Sequence, residues 1–194
     1  MTEAELSLGS HRRPYWRPGY YLFVFVLVLA DLLSKDWAWQ FSNRLEPQQV
    51  FGDWLSWETL TNPGGVFGLW RGLTLPLTIV RIFAVGLLFW LLGRQARANW
   101  KGSATLSLLL AGAIGNLYDN LSAWMPWEGN GEVRDFIRVD LGVQPDWWPD
   151  VLPWLFHPWP IFNLADSYIS IAFIILIAGL AAVELQAPKP KEAP

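Results

Sequence analysis

Ile161 to Val183 reads IFNLADSYISIAFIILIAGLAAV. These 23 residues carry one charge, Asp166, about one turn after the start. A bilayer core is crossed by about 20 predominantly apolar residues of α-helix, so this segment is expected to span a membrane. The whole chain fits that setting. It is 53% hydrophobic and 16% charged, whereas a soluble domain averages about 25% charged residues. Three more apolar segments run over about 20–39, 73–92 and 103–119. The expectation is one integral membrane domain over 1–194, with spans near 20–39, 73–92, 103–119 and 161–183. Disordered tails are expected over 1–14 and 186–194.

Basic residues orient the spans, because cytoplasmic loops are enriched in Lys and Arg. Arg12, Arg13 and Arg17 precede the first segment, and Arg94, Arg97 and Lys101 separate the second from the third. The loop over 121–160 instead sets Arg134 and Arg138 against six acids. Both termini are therefore expected in the cytoplasm and the two long loops outside. Asp31, Lys35 and Asp36 follow the first apolar stretch where a cleavable signal would have small residues. In the outer loops, Phe51 to Trp70 mixes aromatic and β-branched residues with an Asn-Pro-Gly-Gly turn, the pattern of short strands. Asp146 to Pro160 is dense in Trp and Pro and is expected to lie along the outer membrane surface.

Ionisable groups in membrane segments are rare and mark function. Asp31, Asp119, Asp135 and Asp166 qualify. Asn163 and Asp166 are three apart on one helix face, and Asn116 and Asp119 repeat that spacing. By the orientation above both pairs lie near the outer surface, and the loop bearing Asp135 can return to meet them. Taken singly, the amides read as caps or helix ties, and Asp31 with Lys35 as an i,i+4 ion pair. Arg81, inside the second segment, reads as paired with an acid or snorkelling. Two carboxylates within hydrogen-bond distance share one proton. The ionised one can then take a proton from water while the protonated one polarises a carbonyl, which is peptide hydrolysis without metal or cofactor. Spacing alone leaves open which carboxylates form the pair. No Gly-x-Ser-x-Gly or His-Glu-x-x-His is present, and with no Cys a thiol nucleophile is excluded. The net charge of −3 and the lack of a long basic patch speak against nucleic acid as a partner.

Five motifs, in order, resemble those of the lipoprotein signal peptidase (signal peptidase II) family. They are Asp31 to Lys35 (DLLSK), Asn62 to Gly68 (NPGGVFG), Gly112 to Asn120 (GAIGNLYDN), Val133 to Phe136 (VRDF) and Phe162 to Asp166 (FNLAD). The resemblance implies an all-α membrane protein of four transmembrane helices with a small extracytoplasmic β-rich cradle. It implies an aspartic endopeptidase of the bacterial cytoplasmic (inner) membrane that removes signal peptides from diacylglyceryl-modified prolipoproteins, with no cofactor and no metal. Carried over by motif, Asp135 and Asp166 are the catalytic pair. Asn62, Gly64, Asn116, Asp119, Asn163, Asp31 and Lys35 bind substrate or support the pair. Prolipoprotein and membrane lipid are the implied partners, and a monomer is expected.

The chain departs from the pattern at Asn120, where the family has Arg, at Gly65-Val66 in place of Ala-Ala, and in a longer 121–160 loop. Arg134 or Arg138 is the expected substitute cation. The Asn120 departure also motivates the alternative of a catalytically impaired relative that binds lipidated peptides without cleaving them. An ion or proton pathway would instead spread its acids through the bilayer depth.

Overall fold

The computed structural model describes residues 18–41, 46–63, 74–96, 98–142 and 159–186. Helix α1 (Pro18–Phe41) opens on a proline, whose missing N–H costs nothing in a first turn. Strands β1 (Gln48–Phe51) and β2 (Leu55–Asn62) follow, then α2 (Thr74–Arg94), α3 (Trp100–Leu121), β3 (Val133–Val139) and α4 (Leu164–Ile177). Helices therefore occupy all four apolar segments. Among the described helices, α2 is the one whose length and apolarity alone suffice to cross a membrane.

Helix α3 is the hub of the bundle. It packs against α1, α2 and α4, and its small and polar residues let those helices approach closely. At Gly115 a Cβ would collide with the Asp31 carboxylate and sit 3.2 Å from the Ala165 side chain. Val24, Leu92, Leu106, Leu110 and Ala111 form the interhelical core. The outer faces are apolar and uncovered: Phe83, Val80 and Ile174 are 73%, 63% and 64% exposed. Such continuous exposed apolar surface suits contact with lipid rather than water.

The three strands form one antiparallel sheet in the order β1-β2-β3. The 51–70 stretch thus supplies all of β2, as expected, but β3 comes from the stretch read as an outer loop. The chain before α4 extends the sheet further. Phe136 N and Ile137 N donate to Phe162 O at 3.0 and 2.8 Å, and Phe162 N returns a bond to Ile137 O at 3.1 Å. Ala38, Phe136 and Ile137 pack as a second core joining the sheet to the end of α1.

Helix α4 stops six residues short of the expected Val183. Gly179 adopts φ +67°, Gly179 N donates to Leu176 O at 3.1 Å, and Leu180 N donates to Ile175 O at 3.0 Å. That pair of bonds is a Schellman C-cap, which glycine accommodates without strain. The 14-residue helix is only about 21 Å long, at 1.5 Å per residue. The chain beyond it turns back to the loop after α2. Ala96 N donates to Glu184 O and Gln186 N donates to Arg94 O at 2.9 Å, so Gln186 is docked rather than the start of a loose tail. The remaining tail residues, 1–14 and 187–194, and the Trp-rich stretch at 146–158 lie outside the described residues.

Candidate active site

Asp135 sits mid-strand in β3, opposite Leu60 of β2, while Asn62 closes β2 opposite Val133. Asn163 and Asp166 start α4, and Asn116 lies in the last turns of α3. The bridging of Phe162 to β3 brings these elements together at one end of the bundle.

At that end Asn163 makes the central contacts. Its side-chain oxygen accepts from Asp166 N at 2.9 Å, and its own N–H donates to an Asp166 carboxylate oxygen at 3.3 Å, forming a capping box. Such a box satisfies two backbone donors that a helix start otherwise leaves open. The Asn163 Nδ2 group donates to Asp135 Oδ1 at 2.7 Å and to Asn116 Oδ1 at 3.1 Å. Asn116 Nδ2 in turn donates to Asp166 Oδ1 at 2.8 Å, and Asn62 Nδ2 donates to Asp135 Oδ2 at 3.2 Å. Two carboxylates on separate elements are thus tied together through amides. Burial, followed by the negative charge of Asp166, pushes the Asp135 carboxyl up to about 8. The amide donors and the more distant Lys35 charge oppose that rise without cancelling it. A carboxyl in such surroundings holds its proton at neutral pH.

Beneath the pair lies a different arrangement. Lys35 is fully buried and donates to Asp31 Oδ2 at 2.7 Å, and its ammonium lies 2.9 Å from Asp119 Oδ2. It also reaches Asn116 Oδ1 at 3.3 Å. The second oxygen of Asp31 accepts from Ala165 N at 2.9 Å, tying α1 to the start of α4. Asp119 also accepts from Arg134 Nε at 2.8 Å and from Arg134 N at 3.2 Å.

The Asp31–Lys35 pair expected from i,i+4 spacing is therefore present, and the sequence did not reveal that it also clamps α3. Gly64 lies outside the described residues. Neither expected substitute cation is free for the carboxylate pair: Arg134 is committed to Asp119 and Asp36, and Arg138 pairs with Glu58 at 2.5 Å and Asp140 at 3.3 Å. The residue that does reach toward Asn120 is Arg81 of α2, which donates to the Asn120 side-chain oxygen. Among the described residues no group of three or more metal-ligating side chains could hold a metal ion.

The family model for signal peptidase (SPase) II matches residues 23–182. This chain belongs to the signal peptidase II family. The lipoprotein signal peptidase of Cellvibrio japonicus is 33% identical over 172 residues, covering 86% of each chain. That of Leptospira biflexa is 32% identical over 170 residues, covering 84% of this chain and 88% of its own. A bacterial membrane enzyme solved by the in meso method at 1.9 Å superposes with a TM-score of 0.68 at 25% identity, covering 89% of this chain and 97% of its own. A second such structure, at 2.3 Å, gives 0.65 at 26% identity over 86% and 89%. Family membership makes the protein a peptidase, and the fold it shares is that of a membrane enzyme.

Proposed function

We propose that the protein is an aspartic endopeptidase that removes signal peptides from diacylglyceryl-modified prolipoproteins at the bacterial cytoplasmic membrane, with Asp135 and Asp166 as its catalytic pair. The reading is supported most by the amide bridge Asp135–Asn163–Asn116–Asp166, which holds two carboxylates from β3 and α4 at one end of the bundle. Relatives named lipoprotein signal peptidase supply the substrate class.

In the reaction, the ionised carboxylate of Asp166 takes a proton from water as the water oxygen bonds to the scissile carbonyl carbon. Asp135, which keeps the shared proton, gives it to the carbonyl oxygen. Collapse of the tetrahedral species breaks the C–N bond, the leaving nitrogen takes up a proton from Asp166, and the carbonyl-oxygen proton returns to the pair. The products are a new carboxyl and a new amino terminus. Asn62, Asn116 and Asn163 hold the carboxylates in place and offer amide groups to the substrate backbone. Lys35, Asp31 and Asp119 set the helices beneath them.

All four helices are proposed to cross the membrane, with both termini in the cytoplasm and the sheet outside. The native chain has no Cys, so single cysteines placed in β1 and in the α2–α3 loop report sidedness cleanly. Labelling of both from the same side sinks the topology. For activity, the purified protein is incubated with a diacylglyceryl-modified prolipoprotein alongside Asp135→Asn and Asp166→Asn. Cleavage by wild type alone supports the dyad, and an active Asp166→Asn ends it. Substrate binding without turnover by the wild type would mark the non-cleaving relative.

A further inference from the structure

Helix α2 carries one charge between its first residue and its terminal Arg94, and that charge is Arg81. A lone guanidinium in so apolar a helix is costly unless something meets it. The side chain is half-buried, and its partner in the described residues is Asn120, to whose oxygen it donates. Asn120 is itself held, since its amide donates to Gly131 O at 2.7 Å. It lies one helical turn beyond Asn116, which donates to Asp166. Asn116 and Asn120 are i,i+4 on one face of α3, so the guanidinium is held against the same helix face whose neighbouring amide touches Asp166.

Two other cations lie close to Asn116 and Asn163, namely Lys35 and Arg134. Lys35 is engaged by Asp31 and Asp119, and Arg134 by Asp119 and Asp36. Both are thus tied to acids outside the pair, whereas Arg81 is held by the neutral Asn120.

We propose that Arg81, held by Asn120, is a positioning residue that anchors the single negative charge of the Asp135–Asp166 pair from a neighbouring helix. The inference rests on the dyad reading above and deepens it. It assigns the substitute cation to α2, where the sequence pattern had suggested Arg134 or Arg138. It also gives Asn120 a role as the bracket for that cation.

The test uses full-length protein in detergent, a diacylglyceryl-modified prolipoprotein, and the pH profile of kcat and KM. Arg81→Gln is expected to lose at least tenfold in kcat at neutral pH with little change in KM. Loss of a nearby cation favours protonation of both carboxylates, so both limbs of its profile move to higher pH. Arg81→Lys, which keeps a charge without the planar fork, retains more activity and a profile nearer wild type. Asn120→Ala, which leaves the guanidinium in place but unheld, shows a smaller upward shift and keeps the proposal testable if Arg81→Gln fails to fold. A wild-type rate and profile in both Arg81→Gln and Asn120→Ala overturns the proposal. So does equal loss in Arg81→Gln and Arg81→Lys with neither profile displaced, which is the mark of a structural role. Asp166→Asn run in parallel separates the two levels. If it is inactive while Arg81→Gln is unchanged, only the Arg81 inference fails; if it is active, the dyad reading falls with it.

Discussion

Two clusters of acids share the same end of the bundle and are stabilised in opposite ways. In the lower cluster, Asp31 and Asp119 meet the buried ammonium of Lys35, and Asp119 also meets Arg134. In the upper one, Asp135 and Asp166 are touched by amides alone among the contacts within hydrogen-bond distance. Ion pairs at these short distances lock a carboxylate to its partner and so to one geometry. Neutral donors leave its proton exchangeable, and burial raises its affinity for that proton. The lower cluster therefore ties helices together, and the upper one is the pair proposed to move protons.

The largest effect that can break this contrast is on turnover. Asp135→Asn and Asp166→Asn should each lower cleavage by at least about 10³-fold, at the upper end of what proton-transfer groups contribute. Neither should lower the thermal unfolding midpoint in detergent, because neither strips the cation from a buried carboxylate. A large fall in that midpoint with Asp135→Asn would place Asp135 among the structural acids.

The converse holds for Lys35→Met. It strips the ammonium from Asp31 and Asp119, leaving Asp31 without a cation and Asp119 with Arg134 alone. Removing one partner of a buried pair typically costs about 3–5 kcal/mol. A clear drop in the unfolding midpoint is expected, with activity lost in proportion to folded protein. A midpoint unchanged from wild type would mean the clamp contributes little.

Much of this contrast was legible in the sequence, and the rest was hidden for physical reasons. The four helices follow from apolar runs, and the shared face of Asn163 and Asp166 follows from i,i+3 spacing. Spacing within a helix could not reveal that Asp31 bonds Ala165 N or that Lys35 reaches Asp119, since those contacts join residues 134 and 84 positions apart. Strand β3 was missed because VRDFIRV breaks the apolar–polar alternation of a strand, setting Arg134 beside Asp135 and Phe136 beside Ile137, and its pairing is supplied by distant β2. Helix α4 was overextended because Ala178 to Val183 is apolar enough to continue. The glycine at 179 ends the helix through backbone geometry rather than polarity. Arg81 was visible as an anomaly, but only the fold shows that it meets Asn120.

The pH dependence sharpens the contrast further. With Asp135 held up near 8, cleavage that needs its proton should fall as pH rises through about 8, approaching tenfold per unit above it. The same shift has a stability sign. Between the ordinary carboxylate range and about 8, the folded chain holds a proton that the unfolded chain has released, so stability falls as pH rises across that window. Asp135→Asn should flatten that slope. An alkaline limb unchanged when the substrate or detergent is varied would tie it to the enzyme. A rate constant up to pH 10 would show that Asp135 is not the proton donor.

The smallest effect is expected on the far side of the sheet. Arg138 and Glu58 pair across β3 and β2, but Arg138 remains 32% exposed, and such pairs are worth about 0–1 kcal/mol. Arg138 also follows Asp135 by three residues in a strand, so the two side chains leave opposite faces of the sheet. Arg138→Ala should therefore leave cleavage within about twofold of wild type and shift the unfolding midpoint by no more than a pair of that worth allows. Its value lies in proximity without contact. It is a cation close in sequence to the catalytic strand position, yet its charge is spent on Glu58 and Asp140. If its removal lowered turnover as Arg81→Gln is expected to do, sequence distance would have ranked the cations better than geometry, and the division between the two acid clusters would have to be redrawn to include the sheet.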